Sequence, residues 1–246
     1  MSGHSKWSTI KHKKSRTDAK RSKVWGKLIR EVTVAARMGG ADPGANPRLR
    51  KAMQDARAAN MPKDRIDRAV HGATAKDAAR YEELTYEGYG PAGVAVLVEC
   101  LTDNRNRTLS DVRVAFDKNG GRLGSGGSVR FVFRQEGQLI FAPAEDRAMP
   151  SEEQLLQVGL ELEIDDVKQE GESLIVTCAP ARFHAVLSAY EQADLVPGES
   201  QLAMVARNDV TVRGKELRQL FTLLEQLEDL DDVQKVWSNA AWNDEL

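Results

Sequence analysis

The first thirty residues contain a run of cationic side chains whose types and spacing suit phosphate binding. They hold ten Lys and Arg against one acid, Asp18. In a helix, Lys20, Lys23, Lys27 and Arg30 lie three or four residues apart and share one face, here called the cationic ridge. Each phosphate that such a ridge neutralises releases counterions, so the pattern predicts nucleic-acid affinity that falls with salt.

Nucleic acid is not the sole candidate partner of this charge run. A solvated face is the commoner outcome for charge runs in general, although solvated helices usually alternate in sign. An acidic protein or a membrane surface would also attract the ridge. The one-sided charge favours nucleic acid. The predicted nucleic-acid-binding residues of this segment are Lys6, Lys11, His12, Lys13, Lys14, Arg16, Lys20, Arg21, Lys23, Lys27 and Arg30.

Charge is segregated along the chain. The 246 residues have a net charge of -2, yet residues 1–80 hold 20 Lys and Arg against 7 Asp and Glu. The remainder holds 15 basic and 30 acidic side chains. The molecule is therefore dipolar, and we expect it to bind with its basic end toward phosphate.

A second polar cluster follows an apolar run and opens a helix. Its residues Asn104, Arg105, Asn106 and Arg107 would place donors at the positive end of that helix, where they could contact phosphate or a backbone. Helix capping by Asn106 or Thr108, with two exposed arginines, accounts for the cluster equally well.

The glycine-rich run at 120–128 resembles a phosphate loop only superficially. It lacks the Gly-Lys-Ser/Thr ending of a P-loop and follows a helix where a P-loop would precede one. We interpret it as a flexible turn that lets the backbone approach a partner. Trp7 and Trp25 lie in the basic segment and could stack on bases, although Trp25 is better interpreted as a cap on a helical core.

Signatures of catalysis are missing from the sequence. The four His are scattered, no zinc-ligand spacing occurs, and no Gly-x-Ser-x-Gly or His-Glu-x-x-His is present. The acidic pairs Glu82-Glu83 and Asp231-Asp232 are interpreted as solvated, because adjacent residues rarely share a face. We expect a non-enzymatic protein with no catalytic residue, metal, cofactor or small-molecule substrate.

Cys100 and Cys178 each lie in an apolar run, which predicts buried free thiols in a reducing compartment. No stretch has the roughly 18 to 20 apolar residues that cross a bilayer, so we expect a cytoplasmic protein that does not bind membranes. A basic, Ser-containing start also describes an organelle transit peptide, which is the open alternative.

The basic segment should fold as three helices. The first runs from a capping box at Ser15 to Gly39-Gly40, the second starts at Asn46-Pro47, and the third follows Pro62 and ends near Gly72. Their Ala-rich apolar stripes predict a small bundle.

Beyond residue 80 the apolar period becomes that of strands. The predicted fold class is α+β: an N-terminal three-helix bundle followed by two ferredoxin-like β-α-β-β-α-β domains, the third inserted in the second. The predicted domains are 1–80, 81–135 plus 207–246, and 136–206. A strand is expected at 129–133 in the second domain.

Several long motifs resemble the YebC/PmpR family. They are Gly-His-Ser-Lys-Trp at 3–7 and the segments 10–13, 18–21, 27–31, 42–50, 86–91, 99–108 and 227–234. The resemblance covers the whole chain, is strongest up to about Phe133, and is weaker through the inserted region. Trp25 and Ser22 depart from the residues expected there.

The resemblance implies a three-domain protein of a family described as probable DNA-binding transcriptional regulators. It also implies an alternative, because family members, including a mitochondrial translational activator, are linked to the ribosome and to passage through proline-rich sequences. The partner is therefore DNA or, on the ribosome, rRNA. The Lys-rich segment has few of the Arg, Asn and Gln pairs that read bases, which favours the ribosomal alternative physically.

Overall fold

The computed structural model describes residues 18–73, 80–144 and 148–242. Residues Phe133–Arg207 form one compact unit, and the described residues before and after them form a second. The α+β class is confirmed, with a helical region followed by β-sheets. The division into three domains stays a prediction.

Three helices form the N-terminal region: α1 at Asp18–Gly39, α2 at Pro47–Ala58 and α3 at Lys63–Gly72. The predicted cap of α2 is confirmed, because the Asn46 side chain accepts a hydrogen bond from the Leu49 amide at 3.1 Å. Its amide group donates to the carbonyls of Ala35 and Gly40, each at 2.8 Å. One buried side chain therefore ends α1 and starts α2.

The core of this bundle is built largely from small side chains at helical spacing. Small residues let the helix axes approach closely, so the three short helices bury a continuous apolar interior. The buried members are Val32, Ala35, Ala36, Leu49, Ala52, Met53, Ala56, Met61, Ile66, Val70 and Ala73.

The chain then enters a hairpin of β1 at Glu82–Tyr89 and β2 at Ala95–Thr102, followed by α4 at Arg105–Lys118 and the short strand β3 at Arg122–Leu123. The strand expected at 129–133 is wrong. A 3-10 turn occupies Arg130–Val132, and Phe133 instead begins a strand of the other compact unit.

That unit contains β4 at Phe133–Phe141, α5 at Glu152–Gly159, β5 at Ile164–Glu170, β6 at Ser173–Cys178, α6 at Phe183–Gln192 and β7 at Glu199–Ala206. Its strands are antiparallel in the order β5-β6-β4-β7. Both the element order and the strand order are those of the predicted ferredoxin-like plan.

After the inserted unit come β8 at Val210–Thr211, α7 at Gly214–Asp229, β9 at Val233–Ser238 and β10 at Ala240–Ala241. Strand β9 pairs antiparallel with β2 and completes a sheet in the order β3-β1-β2-β9. Helices α4 and α7 pack in one core with β2 and β9. The layers match the predicted plan, but the chain joins them as β-β-α-β and then, after the insertion, β-α-β.

Candidate nucleic-acid interface

The structure describes only some of the predicted nucleic-acid-binding residues of the N-terminal segment. Lys6, Lys11, His12, Lys13, Lys14 and Arg16 lie outside the described residues, as does Trp7. Lys20 lies in α1, but its side chain is also outside them. Arg21, Lys23, Lys27 and Arg30 are the predicted residues of this segment whose side chains the structure describes.

Three ridge side chains contact the carboxyl end of α7. Lys23 donates to the carbonyl of Asp229 at 3.2 Å, and Lys27 donates to that of Glu228. Arg30 donates to the carbonyl of Asp231, just beyond the helix. The last carbonyls of a helix lack internal partners and carry the negative end of its dipole, so cations suit them. The described part of the ridge therefore binds within its own compact unit.

The acidic sequence of this helix end shows why cations are needed. The last turn of α7 contains Glu228 and Asp229 and no Lys or Arg. Two carboxylates beside the negative end of the helix dipole are unfavourable, and the lysines of α1 offset that repulsion. Sequence periodicity groups the ridge lysines on one face, but it does not show that an acidic helix end lies against that face.

Asp232 is the buried centre of this contact. Only 5% of the residue is exposed, and its Oδ2 lies 3.1 Å from the Thr102 hydroxyl and 2.8 Å from both the Thr108 hydroxyl and the Arg107 guanidinium. Its Oδ1 lies 3.5 Å from the Arg30 guanidinium. The interpretation of Asp231-Asp232 as a solvated pair is wrong for Asp232, because only Asp231 is exposed.

Burial alone would raise the pKa of Asp232, but the hydrogen bonds from Arg107, Thr108 and Thr102 outweigh it and hold the pKa below its usual value. The hydrogen bonds to Asp232 and then to Asp103 raise the pKa of the Arg107 guanidinium above its ordinary value. Asp232 is thus an ionised carboxylate that joins α1, β2 and α4.

The second predicted cluster is part of this arrangement. The helix cap is Asn104, whose side chain accepts from the Arg107 amide at 3.1 Å, so capping by Asn106 or Thr108 is wrong. The Arg107 guanidinium lies between Asp103, at 2.9 Å, and Asp232. Arg105, Asn106 and Arg107 are exposed, which confirms the two exposed arginines of the capping interpretation. The structure therefore brings Arg30 and Arg107 to one carboxylate.

The glycine-rich run lies at the other end of α4, and its interior contacts are well defined. The buried carboxylate of Glu87 accepts hydrogen bonds from the amides of Gly127 and Val129 at 2.7 Å and of Arg130 at 2.8 Å. Burial alone would raise the pKa of Glu87, but these three amides hold it below its usual value. These hydrogen bonds anchor the run at Gly127 and just beyond it, and its description as a flexible turn stays a prediction.

The two loops do not meet. They lie at opposite ends of α4, whose 14 residues span about 20 Å. A single centre that uses both the 104–107 loop and the glycine-rich loop would have to extend over that distance.

Comparison with known proteins identifies the family. A family model described as the TACO1/YebC protein N-terminal domain matches residues 5–76, and one described as the TACO1/YebC second and third domain matches residues 81–240. The chain belongs to the TACO1/YebC family. The resemblance seen in the sequence motifs is thereby confirmed.

Relatives of this TACO1/YebC chain match it over its whole length. A probable transcriptional regulatory protein of Bordetella pertussis is 50% identical, with 99% of each chain covered. Another of that description, from Desulforapulum autotrophicum, is 48% identical and covers 100% of this chain and 98% of its own. The crystal structure of a conserved hypothetical protein from Aquifex aeolicus matches with a TM-score of 0.84 and 39% identity, covering 94% of each chain.

Two further residues of the TACO1/YebC chain have structural roles. Trp25 packs against the bundle core, its ring nitrogen donates to the Ala59 carbonyl at 2.9 Å, and the Arg65 guanidinium lies 5.2 Å from its ring centre. Arg48 pairs with Glu31 on α1 at 2.7 Å and with Glu83 on β1 at 2.6 Å. Arg48 therefore links the bundle to the sheet, a role that sequence spacing did not reveal.

Both cysteines are buried free thiols, as predicted. Burial raises the pKa of Cys100 to about 12 and that of Cys178 to about 11, so neither is a thiolate near neutral pH. Across residues 18–73, 80–144 and 148–242, no group of three or more His, Cys, Asp and Glu is placed to hold a metal ion. None of the helices within those ranges has the length and apolar character of a membrane span.

Proposed function

We propose that this protein is a nucleic-acid-binding regulator of gene expression, which binds phosphate through its basic N-terminal segment and acts without catalysis. The observation that carries the proposal is the charge of positions 1–30, ten Lys and Arg against one acid. Internal contacts account for Lys23, Lys27 and Arg30. Since these three are bound to the protein's own acidic helix end, phosphate binding is assigned mainly to residues that precede them: Lys6, Lys11, His12, Lys13, Lys14, Arg16 and Lys20.

The first candidate target is DNA. The Bordetella and Desulforapulum relatives are named probable transcriptional regulatory proteins, and a basic segment binds duplex phosphates without needing to read bases. The proposal includes a cytoplasmic location and the three domains 1–80, 81–135 plus 207–246, and 136–206.

The second candidate is a translation factor that binds rRNA on the ribosome. Sequence-specific DNA recognition by a helix needs Arg, Asn or Gln side chains that reach base edges. In α2 and α3 several arginines bind the protein itself: Arg48 pairs with Glu31 and Glu83, Arg50 donates to the Pro43 carbonyl, and Arg65 covers Trp25. Because these arginines contact the protein itself, recognition of the nucleic-acid backbone and shape is favoured over recognition of bases. Such recognition suits a structured RNA.

Crosslinking the protein to nucleic acid in cells and sequencing the bound fragments separates the two candidates. Ribosomal RNA with little promoter DNA would reject the DNA regulator, and promoter DNA with little rRNA would reject the translation factor. Background levels of both would contradict nucleic-acid binding itself.

A charge-reversal variant tests the basic segment in vitro. Changing Lys11, Lys13, Lys14 and Lys20 to Glu should weaken nucleic-acid binding by roughly 100-fold or more. It should also reduce the slope of log Kd against the logarithm of the salt concentration by about 3 to 4. The matched control reverses the same number of exposed cations elsewhere: Lys118, Lys168, Lys215 and Arg218. Equal losses in both variants would show that net charge alone governs binding and would overturn the assignment to this segment.

A further inference from the structure

The most exposed aromatic side chain among the described residues lies on the 3-10 turn that follows the glycine-rich loop. Phe131 is 71% exposed, whereas its neighbour Val129 is fully buried. Burying a Phe side chain is worth about 1.5 to 3 kcal/mol, so a fold that leaves one in water on an ordered turn forgoes that stabilisation. The ring is therefore available to a partner.

The turn is fixed from inside. Glu87 accepts hydrogen bonds from the amides of Gly127, Val129 and Arg130, and the Tyr89 hydroxyl donates to the Ser128 carbonyl at 2.7 Å. Hydrogen bonds to a buried carboxylate are among the stronger ones in proteins. Because the backbone on one side of Phe131 is already ordered, a partner that binds its ring loses little entropy in ordering it.

At one position of the loop, neither a steric contact within the protein nor a positive φ requires glycine. A Cβ on Gly121 would lie 2.7 Å from the Tyr89 carbonyl, one on Gly124 would lie 2.4 Å from the Ser128 hydroxyl, and Gly127 has a φ of +85°. Gly126 has no such φ, and a Cβ there would have no atom within 4 Å. Its missing side chain leaves open space at the protein surface, which suits close approach by a partner's backbone.

The charge around the ring indicates what that partner is. Positions 119–132 contain Arg122 and Arg130 and no acidic residue. Arg122 lies over the Tyr89 ring, 5.4 Å from its centre, and the nearby carboxylate of Glu87 is buried and occupied by amides. The segment that carries the ring is therefore cationic, and cations attract the phosphates of a nucleic acid.

We propose that Phe131 stacks on an unpaired nucleobase, while Gly126 leaves room for the sugar-phosphate backbone and Arg122 and Arg130 attract its phosphates. Aromatic rings and arginines beside a fixed backbone are the usual means of holding single-stranded nucleic acid. This site rests on the proposed function and adds to it a second contact that selects unpaired segments. The basic N-terminal segment binds phosphates of paired and unpaired strands alike.

Binding of the full chain to an RNA stem with an unpaired loop, compared with a fully paired duplex of equal length, tests the site. Phe131→Ala should weaken binding of the stem-loop about 5- to 100-fold and leave binding of the duplex unchanged. Phe131→Tyr should retain stem-loop binding, because its ring also stacks, and Phe131→Leu should not restore it. Gly126→Leu should weaken stem-loop binding as well. Each variant should keep the melting temperature of the wild type, since both positions are at the surface.

The outcomes separate this inference from the proposed function. Wild-type chain that binds neither RNA would reject both. Wild-type binding with an unchanged Phe131→Ala affinity for the stem-loop would reject the stacking site and leave the proposed function intact. Wild-type affinity of Phe131→Leu for the stem-loop would show that the side chain makes an apolar contact without stacking, and would overturn the proposal. Loss of a protein partner with unchanged RNA binding would assign Phe131 to a protein interface and overturn the proposal.

Discussion

The two loops at the ends of α4 differ in a way that their sequences alone do not reveal. The loop at 104–107 is rich in polar and cationic residues, yet Asn104 caps the helix and Arg107 binds Asp103 and Asp232. The loop at 120–132 is mostly glycine and serine, yet it is anchored by Glu87 and presents Phe131 to solvent. The loop with more hydrogen-bond donors therefore uses several of them in contacts within the protein.

This difference shows that a cluster of cations is not by itself a binding surface. A cation is available to a partner only where the fold supplies no acceptor for it. In the ridge and in the 104–107 loop, the fold supplies Asp232 and the carboxyl end of α7 as acceptors. In the glycine-rich loop, the acceptor Glu87 takes the backbone amides of Gly127, Val129 and Arg130.

Removing Asp232 should have the largest effect on stability. Asp232→Ala takes the shared acceptor from Thr102 and Thr108 and leaves Arg30 and Arg107 facing each other, so we expect a loss of about 3 kcal/mol in the free energy of unfolding. Denaturation by urea measures it. Asp231→Ala is the matched control, because that neighbour is exposed, and it should change stability by less than about 0.5 kcal/mol. Equal effects would mean that the inward contact is not stabilising.

Removing the Glu87 carboxylate, which anchors the glycine-rich loop, should have the second-largest effect on stability. Glu87→Gln leaves one acceptor oxygen for amides that two carboxylate oxygens now share, and we expect a loss of about 1 to 3 kcal/mol. Hydrogen exchange at the amides of Gly127, Val129 and Arg130 should also accelerate. Glu82→Gln, at an exposed position of the same strand, should leave both measurements unchanged. Unaltered exchange in Glu87→Gln would show that the loop is ordered by other contacts.

Acid should weaken both loops together. The folded-state pKa values of Asp232 and Glu87 are lowered, so their stabilisation is present above the ordinary carboxylate pKa of about 4 and is lost as the pH falls through the folded values. Unfolding followed between about pH 5 and pH 2 should show a fall in stability toward acid. In the double variant Asp232→Asn and Glu87→Gln this fall should be shallower. An unchanged slope would place the acid-sensitive groups elsewhere.

The lysines of the ridge should have the smallest effect. Lys23→Gln with Lys27→Gln removes two cations from the carboxyl end of α7, and we expect a loss of about 0.5 to 1 kcal/mol that shrinks at high salt. Lys168→Gln, an exposed strand position, serves as control. A stability gain in the double variant would show that the lysines repel one another more than they bind the helix end.

Much of the fold follows from local sequence signals. The helix boundaries near Asn46-Pro47 and Gly72 and the β-α-β-β-α-β order of the inserted unit are predicted from the sequence because caps, turn residues and apolar periods act over a few positions. The strand expected at 129–133 was wrong for the opposite reason. Its apolar residues are divided between a turn and a strand of another unit, and a local pattern cannot reveal that division.

The sequence by itself determined where the charges lie along the chain, which segments form helices and strands, and which family the motifs resemble. Only the tertiary structure decided which of those charges have internal partners. Asp232 lies 202 positions after Arg30 and 125 after Arg107, and no local pattern links them. The exposure of Phe131 was decided in the same way, because a side chain's contact with solvent depends on which distant segments cover it.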